Sequence, residues 1–278
     1  MRTRICSKNP FGADRYGFAW EQVRYQGRAH LDLGCYEGMF LDSLRAKGIA
    51  RLVGADVSTQ AVQTARQRYS GLEFHHLCAG QALPFQDGSF DSVSLLDVLE
   101  HVADQRGLLA EIRRVLAPGG TLIVTVPRRH VFSWMDLGNL KFRFPRLHRW
   151  YYCRSHSTQE YRQRYRANPD GLVGDVAARK FWHEHLSPRK LTALLESAGL
   201  SMVLVDGAGL FERPMCVMGR LVRWIGPAKR ALSRLRARDS RAFGWANLFC
   251  VATAGPAAAV PAVESQARKA AGLQEGSL

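Results

Sequence analysis

Residues 29–38 read AHLDLGCYEG, and this stretch decides the fold of the N-terminal half. A short apolar run ends in a turn with glycines at positions 34 and 38, and an amphipathic pattern follows over residues 37–47. Glycines at such a turn let the backbone approach a ligand at the carboxyl end of a strand. We therefore predict a buried strand, a ligand-binding turn and a helix.

The same alternation continues along the chain. Short apolar runs predict strands at 29–34, 51–57, 72–77, 91–96, 120–126, 200–206 and 245–254. Amphipathic patterns predict helices at 37–47, 58–69, 104–116 and 187–198. This spacing of strands and helices predicts an α/β fold, with a doubly wound parallel sheet and helices on both of its faces.

Composition and charge divide the chain in two. Of its 278 residues, 46% are hydrophobic, which excludes a disordered chain and allows a sizeable core. The formal charge is +15: residues 1–127 hold 14 Lys and Arg against 13 Asp and Glu, and residues 128–278 hold 25 against 11. The excess lies in two segments that interrupt the alternation, 128–186 and 207–243. Each follows a parallel strand, so we expect both insertions at the carboxyl edge of the sheet.

Cysteine usage and the termini indicate the compartment. The six cysteines are widely spaced without a C-x-x-C pair, which predicts free thiols and a reducing, cytoplasmic environment. No apolar run follows the basic N-terminus, so no signal peptide is expected. The uncharged stretch 242–263 contains two prolines, and we interpret it as a core strand and a tail rather than a membrane span. We expect one domain over 1–254 and a disordered Ala/Pro-rich tail over 255–278.

Two ligand classes use a glycine turn of this kind. A dinucleotide rests its diphosphate on the following helix and requires G-x-G-x-x-G. Here Tyr36 replaces the middle glycine and Glu37 places a carboxylate near the diphosphate position. That carboxylate and Asp32 suit a ligand with an ammonium and a sulfonium group, such as S-adenosylmethionine. Asp56, 22 residues after Gly34, can accept bonds from two ribose hydroxyls, or it can simply precede a helix cap.

Three more segments complete the pattern: LPFQDGSFD at 83–91, LDVLEHV at 96–102 and LAPGGTL at 116–122. In this order and spacing they resemble the class I S-adenosylmethionine-dependent methyltransferases, in the type 11 group of small-molecule enzymes. The resemblance covers about residues 28–127 and resumes at 183–199. It implies a Rossmann-like, mostly parallel sheet of seven strands with the last strand antiparallel, helical cap insertions, and S-adenosyl-L-methionine as cofactor.

The resemblance also implies which residues bind the cofactor, all at the carboxyl ends of the first four strands. They are Asp32, Gly34, Tyr36, Gly38, Asp56, Val57, Gly80, Gln81, Leu96 and Asp97. The glycine turn and the end of the fourth strand are expected at the methionine moiety, Asp56 at the ribose, and Val57, Gly80 and Gln81 at the adenine. Ala79 stands where relatives often carry an acidic residue for the adenine amine, so that contact is expected from backbone groups or Gln81.

Methyl transfer is an in-line displacement at an activated carbon, so positioning and desolvation supply much of the rate. A base is needed only if the acceptor must lose a proton. The candidates are His101, His130, His156, His183 and His185. His130 lies just after the fifth strand, and His101 lies within the LDVLEHV segment, where a histidine is more often structural. No Cys or His pair has the third ligand that a metal site needs, so no metal is expected.

The two insertions indicate the acceptor and its surroundings. The first reads LGNLKFRFPRLHRWYY at 137–152, where arginines alternate with aromatic residues that suit phosphates, carboxylates or stacked rings. The second has apolar residues at helical spacing over 215–238, with arginines between them and Pro227 expected to kink or split the helix. A basic amphipathic helix can lie on an anionic membrane, or it can pack on the domain as a lid, and both interpretations stay open.

These features predict an anionic acceptor: a small molecule, a glycan or a lipid-linked compound of surface-polysaccharide or secondary metabolism, methylated on a hydroxyl, amine or carboxyl group. We expect a cytoplasmic enzyme with peripheral contact to the inner membrane face through 215–238. Two alternatives stay open. RNA is one, since a basic aromatic rim also suits nucleic acid, although no recognised RNA-binding module is present. A non-catalytic cofactor-binding scaffold is the other, since Tyr36 and Ala79 depart from the family pattern.

Overall fold

The structure is a computed structural model that describes residues 15–24, 27–129, 144–165, 184–207, 218, 226–242 and 247–255. Its strands are β1 (Ala29–Leu33), β2 (Arg51–Asp56), β3 (Glu73–His76), β4 (Phe90–Leu96), β5 (Leu116–Pro127), β6 (Leu200–Asp206) and β7 (Asn247–Ala254). They form one seven-stranded sheet in the order β3-β2-β1-β4-β5-β7-β6. The first five strands are parallel, and β7 is antiparallel to both β5 and β6. The predicted Rossmann-like sheet with an antiparallel last strand is confirmed.

Helices cover both faces of this sheet. The described helices are α1 (Arg15–Gln22), α2 (Met39–Ser43), α3 (Thr59–Arg68), α4 (Gln105–Val115), α5 (Pro145–Tyr152), α6 (Thr158–Tyr165), α7 (Pro188–Ser197) and α8 (Gly226–Ala242), and α1 to α4 and α7 pack on the sheet. Apolar side chains of α1, α2 and α3 form one core with the sheet, among them Trp20, Phe40 and Val62. Those of α4 and α7 form a second core on the opposite face, among them Ile112 and Leu195. Burial of these two apolar stripes is the main favourable term for the layered arrangement.

Capping residues set the starts of three helices. The Ser58 hydroxyl accepts the amide of Ala61 at the start of α3, and Asp104 accepts the amide of Gly107 at the start of α4. The Ser187 hydroxyl accepts the amide of Lys190, and proline follows in the first turn of α7. Each bond satisfies an amide that has no partner within its helix, and so fixes where the helix begins.

Two predicted boundaries were wrong. The helix predicted over 104–116 ends at Val115, and Leu116 begins β5, where it pairs with Phe90 before a register shift. Pro118 cannot continue a helix, and Gly119 has a φ of +72°, so the chain turns directly into the strand. The helix predicted over 37–47 is divided into α2 and a 3₁₀ turn, Leu44–Lys47, which ends at Gly48.

One further feature differs from the sequence-based expectation. Helix α1 was not predicted at all, yet it packs against the sheet through Phe18 and Trp20. The prediction that Pro227 kinks or splits a helix depends on the residues before Gly226, where the described part of α8 begins. Residues 219–225 and the predicted tail at 256–278 lie outside the described residues. Within the described part of the chain, no helix has the length and apolar character needed to cross a membrane.

Candidate functional site

The predicted site lies at the carboxyl edge of the parallel strands, where β1 and β4 adjoin. On one side of β1 the sheet continues with β2 and β3. On its other side lies β4, which begins the second half of the sheet. A crevice at such a switch point is where open α/β sheets bind ligands. The ends of β1, β2 and β4 bring the turn 34–38, Asp56 and Asp97 to this edge.

The turn after β1 owes its shape to two glycines. Gly34 and Gly38 each have a φ of +82°. A Cβ atom on Gly34 would lie 2.2 Å from a methyl carbon of Val98, and one on Gly38 would lie 2.7 Å from the Phe74 ring. Side chains of other strand ends therefore pack directly against the turn, and no larger residue fits at either position.

Tyr36 adopts a backbone conformation that favours glycine. Its φ is +48°, in the left-handed region, and its side chain is 65% exposed. The Tyr36 amide donates to Oδ2 of Asp56 over 2.8 Å. The departure from glycine therefore leaves the turn in place and adds an aromatic ring at its outer surface.

Asp56 joins the turn to the start of α3. Its Oδ2 accepts the Tyr36 amide and its Oδ1 accepts the Ser58 amide, both over 2.8 Å. Ser58 is the helix cap, so Asp56 directly supports the capped start of α3, as the alternative interpretation of this segment expected. The half-buried carboxylate has further lone pairs, because each oxygen of an ionised carboxylate accepts more than one hydrogen bond.

Asp32 ends a buried chain of hydrogen bonds between β1 and β4. Ser94 donates to Oδ1 of Asp32 over 2.6 Å, and the two ring nitrogens of His30 lie 3.0 Å from the Ser94 hydroxyl and 2.8 Å from the Ser92 hydroxyl. Because the single Ser94 proton goes to Asp32, Nε2 of His30 donates to Ser94 and Nδ1 accepts from Ser92. Every donor in this series of hydrogen bonds therefore points toward the Asp32 carboxylate.

Burial determines the protonation states of His30 and Asp32 in this series of hydrogen bonds. It lowers the pKa of His30 to about 3, with a smaller contribution from the charge of Lys47, so the ring is neutral. It raises the pKa of Asp32 to about 7, and the Asp56 charge acts in the same direction against the Ser94 bond. At this pKa the Asp32 carboxyl is partly protonated and partly ionised at neutral pH.

The end of β4 is tied to the N-terminal helix. Asp97 has a φ of +55°, and its Oδ1 accepts the Thr125 hydroxyl over 2.7 Å. Its Oδ2 pairs with Nη1 of Arg15, on α1, over 2.6 Å. Leu96, just before it, is buried. The sequence analysis missed Arg15, because α1 carries no motif and lies outside the segment that resembles the family.

The adenine-side candidates lie near the ends of β2 and β3. Val57 is half-buried directly after β2, whereas Gly80 and Gln81 are exposed in a turn closed by the bond from the Gln81 amide to the Cys78 carbonyl. A Cβ atom on Gly80 would meet nothing within 4 Å. Glu37 pairs with Arg68 over 2.7 Å, so its charge is partly offset and excludes a diphosphate less strongly than the sequence indicated.

The structure describes some of the candidate bases and not others. His101 is half-buried in the 3₁₀ turn Leu99–His101, with Nε2 3.9 Å from Oε1 of Glu100. His130 and His183 lie outside the described residues. His185 contacts the Arg128 carbonyl through Nδ1 over 3.1 Å, which indicates a positional role beside β5. Within the described ranges, no group of three or more His, Cys, Asp and Glu side chains could hold a metal ion.

Glu100 is a further titratable group that the sequence analysis did not select. Its side chain is buried, and Oε2 has no hydrogen-bond partner within the described part of the chain. Burial, followed by the charge of Asp97, raises the pKa of Glu100 to about 9. The carboxyl is therefore mostly protonated at physiological pH.

Known proteins share this fold and these segments. A family profile described as a methyltransferase domain matches residues 31–124. A protein of Mycolicibacterium smegmatis named as a probable S-adenosylmethionine-dependent methyltransferase is 36% identical over 127 residues, which are 43% of this chain and 49% of that protein. A ubiquinone biosynthesis O-methyltransferase of Dinoroseobacter shibae is 29% identical over 196 residues, 69% of this chain and 66% of that protein. The chain spans less than two thirds of the length of the curated relatives that it matches.

Solved structures agree at the level of the fold. The structure of an S-adenosylmethionine-dependent methyltransferase from Mesorhizobium loti has a TM-score of 0.55 at 15% identity, covering 87% of this chain and 98% of its own. At that identity the likeness shows the fold alone, and the matched sequence segment carries the assignment. Residues 31–124 of this chain therefore match the methyltransferase domain family, and the chain is similar to a protein named as a probable S-adenosylmethionine-dependent methyltransferase.

Proposed function

We propose that the protein transfers the methyl group of S-adenosyl-L-methionine to a hydroxyl, amine or carboxyl group of an anionic acceptor. The acceptor is a small molecule, a glycan or a lipid-linked compound. The observation that carries the proposal is the bond from the Tyr36 amide to Asp56, which lies within the matched domain. This hydrogen bond holds two parts of the site together: the carboxylate that we propose for the ribose and the turn that we propose for the methionine moiety.

The polar groups at the site edge fit this cofactor. Its ammonium and sulfonium groups suit the Asp32 carboxyl, whose Oδ2 accepts no hydrogen bond from the described residues, with Asp97 nearby at the end of β4. Its carboxylate suits Arg15, the cation already held at Asp97. Its ribose hydroxyls suit Asp56. Charge-assisted bonds of this kind contribute roughly 1.5–3 kcal/mol each, so three or four of them account for binding in the micromolar range.

The remaining cofactor contacts are assigned by position. Gly34, Gly38 and Leu96 line the methionine side, and Val57, Gly80 and Gln81 line the adenine side. The bound cofactor supplies an electrophilic methyl carbon on a sulfonium. The chain orients that carbon toward the acceptor and excludes water from the edge, which is sufficient for an acceptor that has no proton to lose.

A hydroxyl or ammonium acceptor needs a base, and we assign that role to His130 or His101. His101 lies one residue beyond Glu100, and its Nε2 atom lies 3.9 Å from Oε1 of that carboxyl. A neutral imidazole is the form that accepts a proton.

The relatives support a small-molecule acceptor. Several are named ubiquinone biosynthesis O-methyltransferases, and those names describe methyl transfer to oxygen. The anionic character of the acceptor is supported by the arginines of the two insertions. A cytoplasmic location is supported by the buried free thiols of Cys35 and Cys250, and membrane contact through 215–238 by the exposed arginines of α8.

Calorimetric titration with S-adenosylmethionine and S-adenosylhomocysteine tests the proposal. We expect micromolar affinity for both and a loss of about tenfold or more in Asp56→Ala. The matched control is Asp206→Ala, an exposed aspartate at the far end of the sheet order, which is expected to bind as the wild type does. Thermal unfolding of each variant separates loss of the ribose contact from loss of the turn.

Turnover is then measured with radiolabelled methyl donor and catechol, phenol-carboxylate and phosphorylated sugar acceptors. Methyl transfer to one of these classes supports the proposal and identifies the acceptor atom. Absence of cofactor binding at millimolar concentration, with the fold intact, contradicts it.

A further inference from the structure

Helix α5, in the first insertion, has aromatic or apolar side chains on both of its faces. On the inner face, His148 and Tyr152 are four residues apart and pack against α6. The centroid of the His148 ring lies 5.6 Å from that of Tyr161, and the centroid of the Tyr152 ring lies 5.4 Å from that of Tyr165. Both α6 tyrosines are buried. This aromatic contact accounts for the pairing of the two helices.

The outer face of α5 is apolar and exposed. Leu147, Trp150 and Tyr151 share this face, since they are three and four residues apart, and Phe144 extends it by one turn. Their exposed fractions are 62%, 60%, 71% and 57% respectively. A helix that is apolar on both sides is normally buried on both sides, and this outer face has no partner among the residues that the structure describes.

Basic groups flank the same face. Arg146 and Arg149 are exposed, and the guanidinium of Arg154 lies 4.9 Å from the centre of the Trp150 ring. None of the three forms an ion pair within the described part of the chain. The sequence from 144 to 165 contains five arginines and one acidic residue, Glu160, which accepts a bond from the Tyr152 hydroxyl. The partner of this face is therefore both apolar and negatively charged.

We propose that the outer face of α5 is a docking surface for an anionic lipid bilayer. Tryptophan and tyrosine prefer the boundary between acyl chains and headgroups, leucine and phenylalanine enter the acyl region, and arginines at the edge pair with lipid phosphates. Each basic residue near an anionic surface strengthens binding by about fivefold. The inference concerns a surface and is independent of methyl transfer.

The second insertion is a weaker match for the same partner. In α8, Arg230, Arg234 and Arg238 are exposed in one stripe, but Leu232 is buried and Leu235 is the one large apolar side chain exposed on that helix among the residues whose side chains are described. Such a stripe can attract an anionic surface without inserting into it. We therefore place the inserting element at α5 and give α8 a supporting electrostatic role.

Co-sedimentation of the full chain with vesicles tests the proposal, using phosphatidylcholine with and without phosphatidylglycerol. We expect binding to the anionic vesicles only. Leu147→Ser with Trp150→Ser is expected to lose roughly tenfold or more in affinity, and Arg146→Gln with Arg149→Gln to lose roughly twentyfold or more at low salt. The matched control is Val203→Ser with Leu204→Ser, two exposed apolar residues on β6, which is expected to bind normally.

Each other outcome overturns the proposal. Equal binding by all variants, or a loss confined to Arg230→Gln with Arg234→Gln, excludes α5 as the inserting element. A dimer in light scattering that Trp150→Ser disperses identifies a second copy of the chain as the partner. Retention of bulk tRNA that depends on these residues, without vesicle binding, identifies a nucleic acid. Unchanged thermal unfolding of the α5 variants excludes a folding defect.

Discussion

The buried Asp32 carboxyl gives the folded protein a pH-dependent stability that one substitution should remove. Burial raises the pKa of this group from 3.8 to about 7. At about 1.4 kcal/mol per pKa unit, the folded state therefore disfavours the ionised form by about 4 kcal/mol relative to the unfolded chain. Asp32→Asn keeps an oxygen that accepts the Ser94 hydroxyl but has no proton to lose.

The sign of the effect follows from proton counts. Between pH 4 and 7 the folded state holds a proton on Asp32 that the unfolded state has released, so wild-type stability falls as pH rises through this window. Above pH 7 both states are ionised and the loss is complete. The difference in unfolding free energy between Asp32→Asn and wild type should therefore move in favour of the variant by about 4 kcal/mol from acid to alkaline pH.

Urea unfolding at a series of pH values measures this difference directly. Replacing the carboxyl by a carboxamide has a free-energy cost that does not depend on pH. It therefore shifts the unfolding free energy by the same amount at every pH and leaves its pH dependence unchanged. Asp206→Asn, an exposed aspartate, serves as the control and should follow the wild type throughout. Parallel curves for Asp32→Asn and wild type between pH 4 and 7 would refute the reasoning, because they would show that Asp32 ionises in the folded protein as freely as in the unfolded chain.

Three further predictions follow from single contacts. Glu100→Gln should gain stability relative to the wild type as the pH rises from 4.5 to about 9, because burial raises the pKa of the wild-type carboxyl between these values; urea unfolding at both ends of this range measures the gain. Gly34→Ala should destabilise the protein by roughly 1–3 kcal/mol in urea unfolding, with partial rescue by Val98→Ala, since the new Cβ would lie 2.2 Å from the valine. Arg15→Ala should weaken binding of S-adenosylmethionine by about tenfold in calorimetry without unfolding the domain, whereas Arg15→Lys should recover part of the affinity.

The sheet was predictable because its signals are local. Each buried strand is a short apolar run, each helix has one apolar stripe, and glycines and caps mark the boundaries. Leu116 shows the limit of this approach. Its apolar side chain fits the stripe of α4 and also the pairing with Phe90, and only the tertiary pairing decides that it belongs to β5.

The polar network at the site was partly visible in the sequence. His30 and Asp32 alternate along β1, and Ser92 and Ser94 alternate along β4, so each pair shares one face of its strand. That pattern indicates polar groups inside the sheet, but the register that places His30 opposite Ser92 is a long-range property. Arg15 gave no signal at all, since its role depends on how α1 packs across the sheet.

The two kinds of charge at the carboxyl edge have different roles under the proposed function. Carboxyl groups of Asp32, Asp56 and Asp97 come from the nearly neutral half of the chain, whereas the arginines come from the insertions that follow β5 and β6. A cationic methyl donor and an anionic acceptor would thus be attracted to separate parts of one edge. Methyl transfer turns the sulfonium into a neutral thioether, which removes the charge that favours an ionised Asp32. Proton uptake by that carboxyl after transfer would then weaken the hold on the product. Burial raises the pKa of this carboxyl to about 7 against the Ser94 bond, so this proton uptake would occur near neutral pH.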